Sequence, residues 1–165
     1  MARMAALIGS LALLLTVAAP AQAVTKSIDL RETGTASGPA TNQCSFGYCT
    51  YYYDGTATGK PFGGREAPFS GAITGVEPVG TNGCFSEASG SVSFLDPRTN
   101  ILAFSMSVSG QLCIVAGGAH TFNGTFTIYD GQYRYMNATG SGTTSISADP
   151  AAGTFEASEH GTISY

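Results

Sequence analysis

Near its carboxy terminus the chain reads "TFEASEHGTISY", which gathers three residues able to hold or move a proton: Glu156, Glu159 and His160. In an extended strand alternate side chains share a face. Glu156, Ser158 and His160 therefore fall together, and a carboxylate beside an imidazole can orient a histidine as a general base. The plainer reading of these three is a solvated polar face. Glu159 is a different case. It alternates with Phe155, Ala157, Gly161, Ile163 and Tyr165, a row that should face an interior. A carboxylate in such a row must find a partner or take up a proton. Arg134 is the only basic residue late in the chain, and it is the expected partner. Glu159, Arg134, Phe155, Ile163 and Phe126 form the candidate ligand-binding set, and Glu159 is the one candidate for a catalytic role. The other histidine is His120.

The remaining chemistry-bearing residues are more readily structural. "YCTYYYDG" supplies Tyr48, Tyr51, Tyr52 and Tyr53, which could stack on sugar rings but also suit strand packing. Cys44, Cys49, Cys84 and Cys113 are an even set, expected as two disulfides, Cys44–Cys49 and Cys84–Cys113. No C-x-x-C spacing is present, so no metal site is expected, and no motif calls for a cofactor. Asn123-Gly-Thr125 and Asn137-Ala-Thr139 match the short N-glycosylation pattern.

Residues 1–23 read as a secretory signal peptide: Arg3, an apolar run over 7–18, then Ala21-Gln22-Ala23. About 12 apolar residues are too few to span a bilayer, which takes roughly 20. The expected mature chain, 24–165, is a single exported domain, with no membrane attachment once the leader is removed. Losing Arg3 leaves 6 basic against 11 acidic residues. Phosphate binding needs clustered Lys and Arg, so nucleic acid is excluded as a partner.

The elements that must position these residues are strands. In "ILAFSMSVSG" Leu102, Phe104, Met106 and Val108 alternate with Ala103 and serines; in "TFNGTFTIYD" Phe122, Phe126 and Ile128 share a face with Gly124. One apolar and one hydroxyl-rich face indicate antiparallel sheet. Strands are expected over 25–33, 48–58, 68–76, 88–95, 101–109, 119–129, 133–147 and 154–164, with loops at 34–47, 59–67 and 77–87. Two stretches read strand, Asp-Pro turn, strand, around Pro97 and Pro150, with Asn100 and Gly153 where a left-handed residue is wanted. Aligned on that turn, Met106 corresponds to Glu159. Asp130-Gly131 is expected to turn the chain between the sixth and seventh strands. Gly140 and Gly142, on one face, let a sheet curl or admit large side chains opposite. The fold class is all-β, an antiparallel barrel of about eight strands, with a β-sandwich as the alternative.

The segment from Phe122 to Thr143 resembles the strand, glycine turn, aromatic and strand segment of the allene oxide cyclase and dirigent barrels, with Gly124, Phe126, Ile128, Gly131, Tyr133, Ala138 and Gly140 at the matching positions. The resemblance covers about 40 residues, and Gln132 and Met136-Asn137 depart from it. It implies an eight-stranded barrel with a central cavity for apolar small molecules; neither family's catalytic carboxylate or arginine falls on a matching position. The functional expectation is a secreted, disulfide-stabilised, non-catalytic barrel that binds a small apolar ligand. The alternatives are a cyclase or isomerase of the resembled type, and a glycan-binding or adhesion module.

Overall fold

The computed structural model describes residues 23–38, 48–76, 83–114 and 119–165, with the side chains of Phe85 and Ser86 excepted. The expected signal peptide, up to residue 22, and Cys44 lie outside the described residues.

The strands are β1 (Thr25–Ser37), β2 (Tyr48–Lys60), β3 (Ala67–Val76), β4 (Gly83–Leu95), β5 (Leu102–Ile114), β6 (His120–Gly131), β7 (Thr139–Asp149) and β8 (Thr154–Ser164). Each pairs antiparallel with its sequence neighbour, and β1 pairs with β8, which closes the barrel. The expected fold class is therefore the observed one, and the sandwich alternative does not apply.

Closure needs strong curvature, and glycine pairs provide it. Gly34 of β1 lies opposite Gly55 of β2, and Gly142 of β7 opposite Gly161 of β8. A Cβ on Gly142 would sit 2.1 Å from the His160 carbonyl oxygen and 2.7 Å from both the Gly161 Cα and Phe126 Cε1. The bare backbone thus lets the strands approach while the Phe126 ring fills the space beneath. The pairing of Gly34 with Gly55 also carries β1 on to Ser37, four residues beyond the expected end, where glycine and threonine had suggested a loop.

Both Asp-Pro hairpins form. Asn100 and Gly153 take positive φ, 55° and 69°, and the aspartates cap their own turns: Asp96 Oδ1 accepts from the Arg98 N–H at 2.8 Å, and Asp149 Oδ1 accepts from the Ala151 and Ala152 N–H groups. The link between β6 and β7 is longer than expected. Asp130 and Gly131 still belong to β6, and the reversal runs through a short 3-10 turn, Tyr133–Tyr135, with Tyr133 and Asn137 at φ 51° and 61°. The strand expected from 133 begins only at Thr139, because Tyr135 turns inward instead of continuing the ladder.

The barrel has two unlike ends. The connections 61–66, 96–101 and 132–138 meet at one, which we call the plugged end. Phe62 stacks on Phe104 with ring centroids 5.7 Å apart, Phe94 and Tyr135 lie 5.1 and 5.6 Å from Phe104, and Tyr165 is 4.8 Å from Tyr135. At the opposite end, between Val76, Gly83, Ile114, His120 and the β7–β8 turn, the interior holds Tyr51, Tyr53, His120 and Phe155. Outside, hydroxyls pair across strands, as in Thr50–Thr74 at 2.9 Å, Ser93–Ser105 at 3.0 Å and Ser145–Ser158 at 2.9 Å.

Candidate functional site: a buried carboxyl pair

Alternation along β8 places Glu159 inside the barrel, 2% exposed, and alternation along β1 does the same for Glu32, 3% exposed. Leu30 is the direct neighbour of Glu159 and Ala157 that of Glu32. The two acids therefore lie diagonally across one strand seam, within reach of each other. From the other side of β8, Thr144 of β7 stands opposite Glu159 and donates its hydroxyl to Glu159 Oε1 at 3.0 Å.

Both carboxyls are pushed above the usual carboxylate range. For Glu32 the shift is large, and burial is its main cause, followed by the negative charge of Glu159 and the hydrogen bond between the two. For Glu159 burial again dominates, opposed by the hydrogen bonds from Glu32 and Thr144 and by His160. The consistent arrangement is an acid and a carboxylate, with the proton on Glu32 donated to Glu159. Glu32 Oε1 and Glu159 Oε2 remain buried with no hydrogen-bond partner among the described residues, a costly condition for polar atoms.

The candidate residues end up in different places. Phe155 and Ile163 lie in the Glu159 row, buried at 4% and 0%, and Phe126 packs over Gly142 and Gly161 beside it. Arg134 is not in this group. It sits in the β6–β7 connection at the plugged end, where its Nε binds Asp96 Oδ2 at 2.6 Å and its guanidinium lies 4.7 Å from the Tyr135 ring centre. The expected Glu159–Arg134 contact is thus replaced on both sides. Asp96, 7% exposed, holds that cation, and Glu159 has the Glu32 and Thr144 hydroxyl donors in its place. Glu156 and His160 are exposed on the outer face, where His160 Nδ1 is 3.3 Å from Asp29 Oδ1.

Among residues not singled out beforehand, Glu32 was discoverable: Ile28, Leu30, Glu32, Gly34 and Ala36 repeat the pattern that marked Glu159. His120 falls in the Phe122, Phe126 and Ile128 row by the same rule, but nothing in the sequence marked its partner. His120 is 1% exposed, and its Nε2 lies 2.6 Å from the Tyr53 hydroxyl, with the Tyr51 ring 4.3 Å away. Burial, and secondarily Tyr51, pushes the Tyr53 hydroxyl up, so it stays protonated. Tyr48 and Tyr52, by contrast, are more than half exposed.

Cys84 and Cys113 are cross-strand neighbours on β4 and β5 and form a disulfide. Such a bond belongs to an oxidising compartment. Among the described residues no group of His, Cys, Asp and Glu could hold a metal ion, and no helix is long and apolar enough to cross a membrane.

The fold and this site together describe a closed, disulfide-bonded antiparallel barrel with a carboxyl pair inside. No family model matches the chain, and neither a curated protein nor a solved structure shows significant similarity to it.

Proposed function

We propose that this is an exported, non-catalytic binding barrel whose interior accepts a small, largely apolar ligand bearing one hydrogen-bond donor, a hydroxyl or an amine. The observation that carries the reading is the pair of partnerless buried oxygens, Glu32 Oε1 and Glu159 Oε2. A barrel that only needed a filled interior would place apolar side chains there, as β5 does with Met106 and Val108. Two acids kept next to each other cost burial energy, and a donor from a ligand would offset that cost. Phe126, Phe155 and Ile163 supply the apolar surroundings. The leader-like amino terminus and the disulfide support export.

Native mass spectrometry of protein purified from its own secretion medium tests the reading. The expected result is a bound species that leaves on denaturation and is absent from a folded Glu159→Gln variant. Retention of the same species by Glu159→Gln, or ligand-free protein from every source medium, would refute it.

A further inference from the structure

A pocket lies outside the barrel at the plugged end, under the β4–β5 turn and the β6–β7 connection. Asp96, Arg98, Thr99, Leu102, Gln132, Tyr133 and Arg134 line about 250 Å³ of space, with walls that are mostly carbon. Two of the chain's seven basic residues converge on it, in a protein of net charge −4. Asp96, the one acid in the lining, is fully engaged: Oδ2 takes the Arg134 Nε and Oδ1 the Arg98 N–H. Its charge is already paired with Arg134. It neutralises Arg134 and fixes its guanidinium plane, which Tyr135 supports from one side. Arg98 makes no ion pair with the described residues, and its charge is left over for the pocket.

We propose that this pocket binds a small organic carboxylate, a single acid group on a short aryl or alkyl body. Guanidinium groups recognise carboxylates through paired N–H donors. Leu102 and the Tyr133 ring supply the apolar contact that a bare inorganic anion could not use. Tyr133 is 67% exposed despite its left-handed backbone. Its ring stands in solvent at the pocket wall, where a ligand would cover it. The site is separate from the interior carboxyl pair and stands or falls independently of it.

The test uses phenylacetate as probe on the folded, disulfide-intact protein, followed by amide NMR shifts. Saturable shifts confined to Arg98, Thr99 and Gln132 to Arg134 are expected, with a dissociation constant on the order of 1 mM or below, which a fragment of this size can reach. Benzyl alcohol and inorganic phosphate should each bind about tenfold more weakly or not at all, since each lacks one half of the recognition. Arg98→Gln should weaken phenylacetate about tenfold through the lost charge-assisted bond while leaving the melting temperature unchanged. Absence of saturable shifts, equal binding by Arg98→Gln, or phosphate binding as tight as phenylacetate would each overturn the proposal.

Discussion

Glu32 and Glu159 are hydrogen-bonded to each other across the β1–β8 seam, an arrangement that calls for a proton shared between two acids in adjacent strands. Both have folded-state affinities for protons above the ordinary value of 4.5. Above that pH the folded chain binds more protons than the unfolded one, and stability falls as pH rises. The stabilisation is complete below about pH 4.5 and is lost as pH climbs through the raised values of the pair. Melting temperatures across pH 4.5 to 8 should therefore decline, and Glu32→Gln should flatten the decline. A profile that rises over this range, or one that Glu32→Gln leaves unchanged, contradicts the shared proton.

Gly142→Ala tests the curvature argument. The new Cβ would meet the His160 carbonyl oxygen and the Phe126 ring at once, and the backbone contact cannot rotate away. A loss of at least 1–3 kcal/mol is expected, roughly the range for overpacked sites. Denaturant unfolding measures it. A change within surface scatter, roughly 0.5 kcal/mol, would mean that the strands are less closely approached than described.

The Cys84–Cys113 bond closes a span of 29 residues. Replacing both cysteines with serine should lower stability by roughly 3–4 kcal/mol on the loop-entropy model. Peptide mapping without reduction should show the two cysteines joined, and a free thiol at either position would contradict the pairing.

Arg134→Ala should cost about 1–3 kcal/mol, because it strips the buried Asp96 of its charged partner. Asp96→Asn in the same background should recover part of the loss by removing the orphaned charge. Equal instability of single and double variants would show that the orphaned Asp96 charge is not the source of the loss.

Tyr133→Asn relieves a strained backbone. Asparagine accepts φ near 51° more readily than tyrosine does, and the exposed ring contributes little packing. Stability should stay level or rise by up to about 1 kcal/mol, as read from the denaturation midpoint.

Most of this architecture is legible from alternation. A period of two marks Phe122, Phe126 and Ile128 as interior without any partner being known, and the same rule turns Glu159 inward. Applied to Ile28, Leu30 and Ala36 it also finds Glu32. What alternation cannot supply is which inward residues meet across strands. That depends on shear and closure, so the pairing of Glu159 with Glu32 rather than Arg134 was hidden. The β6–β7 connection was hidden for another reason. "DGQYRY" carries a strong hairpin signal at Asp130-Gly131, but the plugged end needs an aromatic ring, and burying Tyr135 there outweighs the short turn. The Tyr53–His120 contact joins residues 67 apart in the chain, a separation that leaves no local mark.

The hydrogen bonds between Val24 and Tyr165, and the ladder from Thr25–Ser164 to Gly34–Phe155, close the barrel through the two extremes of the described chain. Seven of the eight strand pairings join sequence neighbours and can form as soon as their second strand exists; the eighth must wait for β8, the last strand in the chain. The carboxyl pair straddles that same eighth seam. With that seam open, Glu32 lies in water like any surface glutamate, and burial favours its protonated form only once β8 is in place. Barrel closure and proton uptake are one event, so the rate of the final folding step should itself slow as the surrounding pH rises.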